Sequence, residues 1–313
     1  MGEPDPRLHP RTGQTQQVYT EFLTGLRRDD DPTTRAYPVN TTILEQLPAL
    51  QPRPTRINQP DLQAHKHLMC LIVLGFFFLL RPAEYTYGQS EGRSQAFRFC
   101  DVFLHMDGKV YHGPDAPIND LSDIERITYA VLQFNDQKNA VRGEQVGHRP
   151  TDDPFLCPAK SLGWLIYHLR RAKAPPTTPL YRFFAPHAKS GHIDVTPAKI
   201  TYALRRAAAR TSATTGIEAS CLSCRSLRPG GATALLCANV GADHIMLLGR
   251  WKSDAMFRYL RVQAATTTHH FASDMLRHGG FTFTPQHYHN GHPPAEVPAT
   301  IAELLDHIEL YDD

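Results

Sequence analysis

Five short segments gather side chains able to handle a phosphate: Arg81-Pro82-Ala83-Glu84, Gln137-Lys138-Asn139, Arg225-Ser226-Leu227-Arg228-Pro229-Gly230-Gly231, Leu248-Gly249-Arg250-Trp251-Lys252 and Arg258-Tyr259-Leu260-Arg261. Guanidinium forks match phosphate oxygens and stay protonated in proteins. The surrounding charge fits the same chemistry. Between Gly163 and Arg261 there are 15 Lys+Arg and four acids, a balance of +11 in a chain whose total is only +2, so the remaining residues stand at −9. A basic stretch of that extent suits a polyanion, and duplex nucleic acid is its common partner. Arg205, Arg206 and Arg210 form the densest cluster and, with Arg250 and Lys252, are candidate DNA contacts. Taken alone, that cluster could equally be a solvated helix face.

These segments need elements to hold them. Residues 16–28 repeat apolar side chains at helical spacing, and the Pro-punctuated stretch to Pro60 reads as a linker. Leu62 to Leu80 is predicted to be a buried helix, stopped at Arg81 because Pro82 disfavours helical geometry in the residue before it. A cation at that helix end could be no more than a cap. β-rich runs flank Asp107-Gly108, a two-residue hairpin signal, and a second pair, 127–134 and 140–146, puts Lys138 at its tip. Helices follow at 159–173, 197–211 (with Thr196-Pro197 as cap and first turn), 225–240, 242–249 and 253–261. The predicted fold is mainly α with a small antiparallel β-sheet, an α+β arrangement.

In their order, the five segments resemble the catalytic domain of tyrosine recombinases, the phage-type integrases. The strings RPAEYT, QKNAVRGE, SLRPGGATAL and LGRWKSDAMFRYL are most similar to the eukaryotic Crypton-type transposon recombinases. The resemblance covers about 37–277 and implies site-specific DNA strand cleavage and rejoining in recombination or integration of a mobile element, with no metal or cofactor. It implies that Arg81 and Arg228 clamp the scissile phosphate, that Glu84 orients or buffers the site, and that Lys138 protonates the leaving 5′ oxygen. Tyr259 would attack the phosphorus and form a 3′-phosphotyrosyl intermediate. Trp251 falls where the family carries His or Trp, though Arg250, one residue earlier, could align there instead. Arg225 replaces the histidine of the usual H-x-x-R; it can hold phosphate but cannot act as a base. That substitution keeps open a second reading, a catalytically inactive or domesticated DNA-binding protein derived from such an enzyme. A third, a helical scaffold whose basic face binds RNA or acidic protein, runs against the motif order.

The resemblance further divides the chain into 1–36, a truncated remnant of an N-terminal helical core-binding domain, 37–277, the catalytic domain, and 278–313, a Pro/Gly/His-rich tail. Residues 301–310 of that tail read as a short amphipathic helix after the Thr300–Glu303 capping box. Double-stranded DNA is the expected partner, with self-association on it. At 313 residues, 41% of them hydrophobic and 20% charged, the composition excludes collagen-like and wholly disordered classes. Six cysteines are too few for a disulfide scaffold, and Cys221-x-x-Cys224 lacks a second ligand pair, so no metal is expected. The longest apolar run, Leu68 to Leu80, is well short of the roughly 20 residues that span a bilayer. An intracellular protein, nuclear if eukaryotic, is the expectation.

Overall fold

A computed structural model describes residues 37–50, 59–88, 96–135, 143–186, 188–251, 273 and 276. The chain divides into two compact units, Met1–Arg261 and Val262–Asp313; in the second, Ser273 and Leu276 are helical and exposed.

The first unit is organised by one helix. α2 (Gln59–Phe77) follows the short α1 (Thr41–Leu44), and every side chain from Met69 to Phe76 is buried. A helix apolar on all sides must be covered on all sides. Here α4 (Pro158–Arg171) and α7 (Leu227–Cys237) pack on it, with α5 (Pro197–Ala208) also in contact. No described helix is long and apolar enough to cross a membrane.

α1 corrects the reading of the Pro-rich stretch as linker. Asn40 caps it by accepting a hydrogen bond from Ile43 N at 3.1 Å, and Val39, Ile43, Leu44 and Leu47 are all core residues. Prolines interrupt the periodicity there without removing the apolar side chains that drive burial. The predicted helix at 16–28 lies outside the described residues.

α3 (Pro82–Tyr85) precedes an antiparallel sheet of β1 (Val102–Met106), β2 (Lys109–His112), β3 (Ile127–Phe134) and β4 (Glu144–His148), in the order β2-β1-β3-β4. The β1–β2 turn is the expected one: Asp107 and Gly108 both have positive φ, 50° and 74°, as a hairpin turn of mirror-image hand requires. β4 begins later than the predicted 140, because Gly143 sits at φ 79° and its N–H closes on Phe134 O at 2.9 Å before pairing of Phe134 with Glu144 starts. A small second sheet, β5 (Arg182–Phe184) with β6 (His192–Asp194), joins α4 to α5. Its strands span three residues each, too short to show alternation in sequence.

The Thr196-Pro197 signal operates as expected, with Thr196 Oγ1 accepting from Lys199 N at 3.4 Å at the start of α5. Cys157 does the same for α4 through Sγ. After α5 come α6 (Ser212–Thr215), α7 and α8 (Ala242–Gly249); the predicted helix 225–240 is divided into a 3₁₀ turn, Cys224–Ser226, and α7. The described residues thus form a helix-rich unit with a small antiparallel sheet.

Candidate active site

The site is built on the carboxyl end of α2. Pro82 holds Arg81 extended at φ −77°, ψ 149°, so the helix must stop before it. It stops in a Schellman arrangement: Leu79 adopts φ 49°, Leu80 N donates to Gly75 O at 3.0 Å and Leu79 N to Phe76 O at 3.4 Å. Leucine in this left-handed region costs roughly 1–3 kcal/mol, which the surroundings must offset. Three further carbonyls, of Phe77, Phe78 and Leu79, point past the helix end and need donors.

Side chains from three distant segments supply them. His148, on β4, donates from Nε2 to Phe77 O at 2.9 Å, and burial lowers its pKa. Arg228, in the first turn of α7, donates from Nη1 to Leu79 O at 2.9 Å and from Nη2 to Gly249 O. Arg250 donates from Nη1 to Phe78 O at 3.2 Å and Leu248 O at 3.1 Å, and from Nη2 to Leu79 O at 3.2 Å. The two arginines thereby fasten the end of α2 to the end of α8.

Glu84 joins them. It is 2% exposed; its Oε2 accepts from Arg81 N at 2.7 Å and from Arg250 Nη2 at 3.2 Å, and its Oε1 from Arg81 Nη1 at 3.0 Å. Arg250 is pulled down to about 10 by burial, against which Glu84 acts, and it remains protonated at neutral pH. Aromatic rings close the cluster: the Arg228 guanidinium lies 4.3 Å from the Trp251 ring centroid, and that of Arg250 3.8 Å from Phe134. Tyr85, next to Glu84, donates its hydroxyl to Cys224 O at 2.9 Å, tying α3 to the turn before α7.

Arg81, Glu84, Arg228, Arg250 and Trp251 therefore come together as one group, three guanidinia against one carboxylate. Arg81 is not a cap on the long helix; it is the N-cap residue of α3, its side chain 23% exposed. Arg225 is exposed on the 3₁₀ turn. Arg81 is accordingly the cation of this group that is partly open to solvent, while Arg228 and Arg250 are buried. Such an arrangement offers an anion one reachable guanidinium backed by two buried ones.

Arg250 differs from the expectation that placed it among DNA contacts. It turns inward, where its guanidinium serves the carbonyls of Phe78 and Leu79 at the end of α2. Arg205 is also occupied, donating from Nε to Leu222 O at 2.9 Å and from Nη2 to Ser220 O at 3.1 Å. Arg206 stacks over the exposed Tyr202 ring at 5.6 Å, and Arg210 reaches Gln46 Oε1 at 3.4 Å. Lys138, Lys252 and Tyr259 lie outside the described residues. At the base of the hairpin that carries Lys138, Asn135 Nδ2 donates to Asp101 Oδ1 at 2.7 Å, and Arg98 pairs with the same carboxylate.

Sequence reasoning missed His148, Phe134 and the Asp101–Asn135 pair. His148 was reachable only by knowing that α2 ends in bare carbonyls; nothing in its own neighbourhood marks it. Among the described residues no cluster of His, Cys, Asp and Glu could hold a metal ion.

No protein-family model matches the chain and no curated protein matches its sequence. Among solved structures, the chain is similar to the integrase of the Tn1549 transposon, determined in complex with transposon right-end DNA, at 10% identity and a TM-score of 0.42, over 80% of this chain and 68% of that one.

Proposed function

We propose that the chain breaks and rejoins DNA strands as a tyrosine recombinase, of a kind most like the Crypton-type transposon enzymes, in recombination or integration of a mobile element. The observation that supports it is the convergence of Arg81, Glu84, Arg228, Arg250 and Trp251, from segments up to 170 positions apart, on one helix end. In this reading the Tyr259 phenolate oxygen attacks the scissile phosphorus and the 5′ oxygen departs with a proton from Lys138. The 3′ phosphate stays bonded to the tyrosine until a 5′ hydroxyl of the same or another strand reverses the step. Arg81 and Arg225 meet the phosphate oxygens, and the charge of Arg228 stabilises the pentacoordinate state from behind. Several copies act together on duplex DNA, inside the cell and, where the host is eukaryotic, in its nucleus.

A second reading is favoured by a specific feature. Both Nη atoms of Arg228 are engaged by backbone carbonyls, and Arg225 cannot serve as a base. A chain with those properties could hold duplex DNA without cutting it.

Nicked duplexes carrying candidate element ends separate the two. A covalent protein–DNA adduct that disappears in Tyr259→Phe establishes the nucleophile. Salt-dependent duplex binding without an adduct selects the silent descendant, and absence of both removes the recombinase reading.

A further inference from the structure

Arg250 sits where the chain leaves α8, at φ 58°, and its side chain is only 2% exposed. Both Nη atoms of its guanidinium lead to protein: Phe78 O and Leu248 O from Nη1, Leu79 O and Glu84 Oε2 from Nη2, with the Phe134 ring across its face. Glu84 stands between this buried cation and the partly exposed Arg81, taking one on Oε2 and the other on both oxygens. A buried carboxylate is costly unless paired on each side, so its orientation depends on both partners. A lysine could not replace this arginine: four acceptors are met by two Nη atoms in one plane, a task for a fork and not for a point charge.

We propose, resting on the recombinase reading, that Arg250 is a positioning residue. It fixes Glu84, and through Glu84 the direction of the Arg81 guanidinium, without touching the phosphate. Its effect on the phosphate would run through a relay of two ion pairs.

The test compares the full-length chain with Arg250→Gln, Arg81→Ala and the double variant, measuring single-turnover adduct formation on a nicked duplex and duplex affinity across a salt series. Misdirection of Arg81 should slow adduct formation by Arg250→Gln about 10- to 100-fold. The slope of log affinity against log salt should stay unchanged in Arg250→Gln but fall by about one in Arg81→Ala, since only the latter removes a phosphate contact. In the Arg81→Ala background, Arg250→Gln should change the rate less than about twofold, because the relay has lost its end. Additive rate losses, or a shallower salt slope in Arg250→Gln, overturn the proposal while leaving the recombinase reading intact. If the unaltered chain neither cleaves nor binds duplex, both fall together. Glu84→Gln guards against misfolding of Arg250→Gln: it keeps the carbonyl contacts of Arg250 and should show the same rate loss, the same salt slope and the same non-additivity with Arg81→Ala. An unimpaired rate in Glu84→Gln also overturns the relay.

Discussion

Replacing Gly231 with alanine sets helix propensity against packing, and the geometry decides the sign. In the middle of α7 the exchange should favour the helix by about 1 kcal/mol. A Cβ at this position, however, would lie 2.2 Å from Phe76 O and 2.5 Å from Leu79 Cδ2, the former about an ångström short of ordinary contact. Backbone on one side and a buried leucine on the other leave no flexible tip to move aside, so α7 must separate from α2 by most of that distance. Arg228 rides on α7 and reaches Leu79 O at 2.9 Å; an ångström more breaks a charged hydrogen bond, a loss of about 1.5–3 kcal/mol. Overpacking contributes about 1–3 kcal/mol. Set against the gain in propensity, Gly231→Ala should destabilise the chain by about 3 kcal/mol, lowering Tm by roughly 6–12 °C. Thermal unfolding followed by circular dichroism measures it, with Ala234→Gly, exposed on the same helix, as a control that should cost about 1 kcal/mol. A Gly231→Ala chain melting at or above the parent temperature would refute the claim that α7 and α2 are in backbone contact.

Leu44→Ala should cost about 2–5 kcal/mol in urea unfolding, as expected of a fully buried leucine; a loss below about 1 kcal/mol would return residues 41–50 to the status of a linker. His67 and His168 are pulled down to about 3 and about 4, chiefly by burial, from an ordinary 6.5. The unfolded chain therefore takes up these protons first, and stability should be full above about pH 6.5 and fall as pH drops from there toward 4. Urea midpoints at pH 7.5, 6 and 5 should decline less steeply in His67→Gln, and parallel declines would exclude His67 as a source. Arg205→Ala should lower stability by about 1 kcal/mol through loss of its bonds to Leu222 and Ser220, with little change in the salt slope of DNA binding. Arg206→Ala should reverse that pattern, reducing the slope by about one, and equal effects from the two would show that Arg205 leaves its carbonyls to meet DNA.

Much of the architecture was legible because it rests on local rules. The Asp107-Gly108 turn, the Thr196-Pro197 helix start and the all-apolar face of α2 each depend on a few neighbouring residues. The grouping of Arg81, Glu84 and Arg228 was legible only as a resemblance, since no spacing in the chain says that positions 84 and 228 meet. Two things had no signature at all. Leu79 and Arg250 adopt positive φ without being glycine, and the acceptors that draw Arg228 and Arg250 inward are backbone carbonyls, which every residue carries. The inward turn of Arg250 is a property of how α2 ends, so it becomes visible only once that end has been located. Val39, Ile43, Leu44 and Leu47 were hidden by the prolines around them, although their side chains are as apolar as any in α2.

The donors on Leu79 O come from residues 149 and 171 positions further along the chain. During synthesis, α2 emerges long before either arginine exists, and at about 5–20 residues per second the wait for Arg250 is roughly 9–34 s. Until then the leucine held in left-handed geometry has no guanidinium to offset its cost, and water must serve the carbonyls. Arg228 and Arg250 therefore reach the site only after the sheet, α4 and α5 have been made, so a nascent chain that stalls before Arg228 carries a helix end without its arginine cap.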